Sequence, residues 1–199
     1  MTLSAVRPEP APHAARARME RLTRRFALSR EVPERFFAAN AAPIAETCLA
    51  MARRFEQGGR LLVFGEGAQA SDAAHVAVEF VHPVLVGKRA LPAIALPGEA
   101  VLLLPRLQQM ATPLDIAMAI TVDGESGGAL AGLAHARATG LLTIGLAGGT
   151  GGTMRGDGLA DWIFVVEAQD PLVIQETHET LYHVLWELVH LFFDQRVAR

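Results

Sequence analysis

The spacing of apolar and polar positions changes several times along the chain, and each change predicts an element. From about residue 13 to 29, Met19, Leu22, Phe26 and Leu28 recur at helical spacing among many arginines, which predicts an amphipathic helix with a solvated basic face. A second helix is predicted from about Val32 to Gln57, with Pro43 able to kink or divide it and the following QGG stretch to stop it. Short apolar runs then alternate with helical stretches. RLLVFG (60–65), LPAIAL (91–96), PLDIAMAITV (113–122), LLTIGLAG (141–148) and DWIFVVE (161–167) read as strands. SDAAHVAVEFVH (71–82), GGALAGLAHARATG (127–140) and residues 170–197 read as helices. Near-continuous apolar strands separated by helices imply a parallel sheet covered on both faces. The expected fold class is therefore α/β, a doubly wound, mostly parallel, flavodoxin-like sheet with an N-terminal helical extension. Residues 13–199 form one expected domain that includes the N-terminal helices at 13–57, and residues 1–12 are expected to be a disordered, proline-punctuated tail.

Composition narrows the partners. A chain of 199 residues that is 51% hydrophobic can bury one sizeable core. Eighteen basic and 21 acidic side chains give a formal charge of −3, so no global field recruits nucleic acid or an acidic membrane. Cys48 stands alone, which excludes an internal disulfide framework or thiolate metal cluster and fits a reducing, cytoplasmic setting. No run reaches the roughly 18 apolar residues of a membrane span. The arginine-rich opening segment lacks the apolar stretch of a secretory signal, and Glu9 and Glu20 count against organelle targeting. A soluble protein is expected.

In doubly wound sheets, ligands sit beyond the carboxyl ends of the strands, where three glycine turns fall here: GEGAQAS, VDGESGG and AGGTGG. The first fits the loose dinucleotide pattern GxGxxA, but Lys88 and Arg89 stand where the ribose-binding acid is required, so a turn kept for its backbone geometry is the plainer reading. His75 and Glu79, four apart, share one helix face; they could hold an ion or a substrate together, or form an ordinary i,i+4 pair. On the closing helix, HETLYH has one residue too many for the HExxH zinc motif, since five steps turn the second imidazole about 140° from the first. His183, Glu187 and His190 form a stripe that reads more plainly as polar groups at a subunit boundary than as a metal site. Gln175 and His183 lie about 80° apart and about 12 Å along the axis, so they could share an ion only if it lay between them.

The order GGRLLVFGEGAQASDAAHVAVEF, LPAIAL, ITVDGESGGALAGLAHARATGLLTIGLAG and IQETHETLYHVLWELVH resembles the sugar isomerase (SIS) domain proteins from about Glu20 onward, specifically their phosphoheptose isomerase branch. The resemblance implies a zinc ion held by His75, Glu79, Gln175 and His183, with Gln175 also touching substrate. It implies an aldose–ketose isomerisation of a sugar or sugar phosphate in which Glu79 is the base and His183 the acid, inside a homotetramer with sites between subunits. The ligand-contacting turns depart from the family. Its first turn resembles GNGGS, where Glu66 and Gln69 now replace Asn and Ser; its phosphate cradle resembles STSGNS, which here reads Thr121, Val122, Asp123, Gly124, Glu125, Ser126. Glu66, Gln69, Thr121, Asp123 and Ser126 are thus the expected substrate-facing residues of a degenerate phosphate loop. Two carboxylates in a turn meant for a dianion disfavour it, so an altered specificity, toward an uncharged or amino-bearing sugar, is expected. The segment after LPAIAL is also shorter than in the family and lacks its substrate-contacting Asn-Asp pair. The rival expectation is a non-catalytic SIS scaffold or regulatory protein that binds a protein partner or a sugar, similar to the replication initiator-associated member of the branch.

Overall fold

A computed structural model describes residues 12–197. Five strands form one sheet: β1 (Leu61–Gly65), β2 (Ala93–Ala95), β3 (Ile116–Ile120), β4 (Leu142–Gly148) and β5 (Trp162–Val166). Their order is β2-β1-β3-β4-β5 and every pairing is parallel. All residues of β1, β3 and β4 are buried, which is why these segments are apolar without alternation: helices cover both faces.

Among the described residues six helices complete the fold: α1 (Pro12–Glu56), α2 (Gln69–Val81), α3 (Ala100–Met110), α4 (Gly127–Ala138), α5 (Gly152–Gly156) and α6 (Pro171–Val197). Leu61 and Val63 point into a core shared with α1, α2 and α6, while Leu62 and Phe64 point into the core beneath α3 and α4. The doubly wound α/β class read from the sequence is therefore the observed one.

Three helical features differ from the sequence reading, one of them the short α5, which begins in the third glycine turn. The two expected N-terminal helices are one continuous α1, which runs through both Pro33 and Pro43. Each proline removes one backbone donor, but Phe36, Ile44, Cys48, Met51 and Phe55 keep the helix anchored along α6 and the sheet. The segment after β2, left without an element, forms α3 despite Pro105; Leu103 and Leu107 bury completely beside Leu133 of α4. The expected tail falls on residues outside those described, except Pro12, which begins α1.

The sheet order places a switch point between β1 and β3. β1 leads through α2 outward to β2, and β3 leads through α4 the other way to β4, so the crevice opens beyond Gly65 and Ile120. The two turns are closely apposed there. A Cβ added to Gly65 would stand 2.8 Å from the Ile120 carbonyl oxygen, so only glycine fits. At the opposite end of the sheet, Arg60 and Asp115 tie the starts of β1 and β3: the Arg60 backbone N–H and Nη2 donate to the two Asp115 oxygens at 2.8 and 2.7 Å. Conserving the crevice's geometry therefore falls to buried backbone packing on one side and to this ion pair on the other.

Candidate functional site

α2 follows β1 and α6 follows β5, so both run back along the sheet and lie side by side on the same face. Their facing residues pair in rising order along both helices. Gln175 Nε2 donates to Asp72 Oδ1 at 2.8 Å. One turn on, the Tyr182 hydroxyl lies 2.8 Å from His75 Nδ1, and Glu179 Oε1 lies 3.9 Å from the same nitrogen. One turn further, Glu79 Oε1 sits 3.2 Å from His75 Nε2 and 3.9 Å from His183 Nε2. The His75, Tyr182 and His183 rings pack edge-on, with centroids 5.0 to 5.4 Å apart. Steps of three and four residues on each helix produce this ladder, since they return to the same face.

The structure brings His75, Glu79 and His183 together, as the spacing of HVAVE and the closing helix allowed. Gln175 stands at one end of the ladder, its amide nitrogen engaged by Asp72 and its carbonyl oxygen left over. Three further members escaped the sequence reading: Asp72, Glu179 and Tyr182. A helical wheel holds the signal for the first two, because Asp72 precedes His75 by three positions and Glu179 follows Gln175 by four. Glu179 matters most. Ligand atoms of His75, Glu179 and His183 all lie within 4.8 Å of one another.

Electrostatics follow from burial and mutual charge. Burial holds the Asp72 carboxyl above the usual carboxylate range; the Gln175 hydrogen bond and His75 pull it down, and Glu179 pushes it up. Burial also raises the Tyr182 phenol, reinforced by the negative charge of Glu179, Asp72 and Glu79, so it remains a hydroxyl. With its own proton directed at His75 Nδ1, the phenol leaves the His75 Nε2–H to donate to Glu79; with the proton on Nδ1 instead, Tyr182 accepts and Nε2 is available to an ion. Imidazole nitrogens and carboxylate oxygens in this number suit zinc. The donor set fits such an ion.

His178 belongs to a different environment. It is fully buried, bonds the Ala147 carbonyl oxygen through Nε2, and burial pushes its pKa down to about 4. His190 is buried between the Trp186 and Arg89 carbonyl oxygens, so the His183–Glu187–His190 stripe holds only one imidazole that faces the ladder.

The glycine turns are organised differently. Glu66 Oε1 accepts the Ala129 backbone N–H at 2.9 Å, placing the carboxylate on the first turn of α4. Glu125 accepts the Thr153 backbone N–H at 2.9 Å with one oxygen and the Thr153 hydroxyl at 2.7 Å with the other. Asp123 Oδ1 accepts from the Glu125 N–H at 3.0 Å. Thr121 is fully buried; its hydroxyl donates to the Leu146 carbonyl oxygen and accepts the Gly124 N–H. Gly124 takes a positive φ of 82°, and a Cβ there would lie 2.1 Å from the Gly151 carbonyl oxygen, so the second and third turns lock together. Gln69 opens α2 and Ser126 precedes α4, both half-buried.

The single chain leaves the ladder on an open face. Side chains of His75 and His183 are 39% and 45% exposed, against 14% for Glu79. A cavity of about 350 Å³ lies instead along α1, lined by Val32, Arg35, Asn40, Arg155 and Glu167 among others. None of the ladder residues lines it.

Comparison with known proteins agrees with this architecture. Residues 26–148 match the SIS domain. The chain is 34% identical over 178 residues to the phosphoheptose isomerase of Desulfovibrio desulfuricans, covering 83% of this chain and 84% of that protein. It is 33% identical over 191 residues to that of Aquifex aeolicus, covering 89% and 99%. Among solved structures, a phosphoheptose isomerase from Francisella tularensis superposes with a TM-score of 0.77 at 24% identity, covering 87% of this chain and 98% of that one. The one from Neisseria gonorrhoeae gives 0.77 at 21% identity, covering 86% and 97%.

Proposed function

This chain belongs to the SIS domain family, in its phosphoheptose isomerase-like branch, and from that premise we propose that it is a metal-assisted aldose–ketose isomerase of a sugar or sugar phosphate with altered substrate specificity. The observation that carries the reading is the convergence of His75, Glu79 and His183 from two helices distant in sequence. Zinc is the proposed cofactor, and when bound it polarises the substrate carbonyl. His75 and His183 supply imidazole ligands, with Gln175 offering its free carbonyl oxygen.

Glu79 is the proposed base that moves a proton between adjacent carbons, and His183 the acid that protonates the developing enediolate oxygen. A carboxylate bound directly to a metal is a poorer base, so these duties compete in Glu79. Glu179, whose ligand atom lies within 4.8 Å of those of both imidazoles, is the proposed anionic ligand, which would leave Glu79 free to act as base. Tyr182 fixes the His75 ring through Nδ1. Altered specificity is supported by the second turn, where Val122 and Asp123 stand in place of hydroxyl residues, Glu125 stands in place of an Asn, and the Thr121 hydroxyl is spent internally. Gln69 and Ser126, half-buried beside the crevice, remain the proposed polar contacts for the sugar.

A homotetramer with composite sites is part of the proposal. Leu181, Leu185 and Val189 of α6 are fully buried within the chain itself. Exposed apolar side chains lie on α1, where Met19, Leu22 and Phe26 are 50 to 70% exposed, and also at Val84, Leu85, Val86 and Val101. Sizing-column mass tests this, and a monomer would contradict a site shared between subunits. Among the described residues no helix is long and apolar enough to cross a membrane; a cytoplasmic enzyme is proposed.

The direct test is turnover of sedoheptulose 7-phosphate and of unphosphorylated ketoses by the zinc-loaded protein and its Glu79→Gln variant. Turnover of one of these sugars, lost in the variant with the fold intact, is expected. A second reading, a non-catalytic SIS scaffold that binds a protein partner or a sugar, is favoured by the self-bonded turns; no turnover of any sugar by the zinc-loaded tetramer would decide for it.

A further inference from the structure

We infer that Glu66 is a built-in anion: its carboxylate occupies the seat at the N-terminus of α4 that a phosphate would take, and so sets the protein's preference for a ligand with no phosphate at that end. The inference deepens the specificity part of the proposed function and rests on it only for the word substrate; the seat and its occupant are features of this fold whatever reaction is catalysed.

Three observations meet here. The first is position. The N-terminus of α4 faces the switch point between β1 and β3, where open α/β sheets bind ligands. Helix N-termini are natural anion sites, because the first N–H groups have no partner within the helix and the dipole is positive there.

The second is occupancy. Ser126, the residue that would cap α4 from its own strand, makes no side-chain capping bond. The cap comes from 63 residues away in sequence, when Glu66 Oε1 accepts the Ala129 N–H at 2.9 Å. A carboxylate in this role satisfies the same orphan donor and the same dipole that a phosphate oxygen would.

The third is fit. Gly128 lies beside this carboxylate so tightly that a Cβ would stand 2.8 Å from Glu66 Oε1 and 3.1 Å from the Ala100 Cα. The absence of a side chain at Gly128 is what lets the carboxylate reach the helix. Glu125 acts in the same sense on the neighbouring turn, with both oxygens bound to Thr153. An incoming dianion would have to displace one carboxylate and approach two others, Asp123 and Glu125, in the adjoining turn.

The test uses the full-length protein and inorganic phosphate, so it needs neither a known substrate nor turnover. Phosphate binding is measured by calorimetry, at constant ionic strength with chloride as the control, for the wild type, Glu66→Ala, Glu66→Gln and the double variant Glu66→Asn with Asp123→Ser. Melting curves confirm that each variant folds. Removing the carboxylate should tighten phosphate binding about tenfold or more, with Glu66→Ala above Glu66→Gln because the amide removes the charge but still fills the seat. The double variant should bind most tightly. Wild-type protein that already binds phosphate as tightly as Glu66→Ala would overturn the inference, as would no gain in either the single or the double variant. Failure of the isomerase reading shows separately, as absent sugar turnover with the phosphate result unchanged.

Discussion

The α2–α6 ladder and the glycine turns adjoin along the chain, with Gln69 ending one and opening the other, yet they treat their polar atoms in opposite ways. On the ladder, Glu179 and His183 have their nearest charged partners at 3.9 Å, beyond hydrogen-bond distance, and both are about half exposed. On the turns, Glu66, Asp123 and Glu125 each accept a backbone N–H at 2.9 to 3.0 Å. On the ladder Glu179 and His183 lack a close protein partner among the described residues, although Asp72, His75, Glu79, Gln175 and Tyr182 bond one another, whereas all three turn carboxylates are spent on backbone donors. In the proposed function, this difference separates a metal-type constellation from an anion cradle closed from within.

The largest expected effect breaks the ladder. Glu79→Gln should lower kcat by about 10²- to 10⁴-fold, the usual worth of a positioned general base, while circular dichroism and melting stay near wild type. An unchanged kcat would remove Glu79 from the chemistry. Glu179→Gln sharpens the same point: it should weaken zinc binding about tenfold or more, the scale seen when a supporting metal partner is lost, and undiminished affinity would return the anionic ligand role to Glu79.

A third test asks whether the ladder's openness is a property of its face or of the whole of α6. His178, one residue before Glu179, is buried with its pKa depressed to about 4. Its neutral form is the folded one, so its contribution to stability is complete above the ordinary histidine value near 6.5 and is lost as pH falls from there toward 4. The loss is on the order of 3 kcal/mol for a group this buried. Urea unfolding between pH 7 and pH 4 should show it, and His178→Asn should flatten that slope.

The smallest effect is on the turns. Glu125→Ala removes two bonds to Thr153 at an exposed position and should cost about 1 kcal/mol in urea unfolding, with zinc affinity unchanged. A change in zinc affinity would show that the two regions are coupled.

The sheet was legible because β1, β3 and β4 are buried on both faces and therefore apolar at every position. The unbroken α1 was not, because Pro33 and Pro43 each signal a break and only packing against α6 overrides them. Pro105 hid α3 in the same way. His75, Glu79 and His183 could be read as candidates from spacing along two helices, whereas which residues face them across the helix pair, Asp72, Glu179 and Tyr182, depends on how α2 and α6 lie together. Glu66 illustrates the limit best. Its replacement of the family's Asn was visible in the sequence, but its bond to Ala129 exists only because β1 and β3 are neighbours.

Zinc binding by the metal-stripped protein, compared with the His75→Ala, His183→Ala double variant, tests the central claim most directly. The ladder predicts one zinc per chain, displaced only by a strong chelator, and its loss when both imidazoles are removed. A wild type that takes up no zinc, or a double variant that holds it as firmly, would contradict the account.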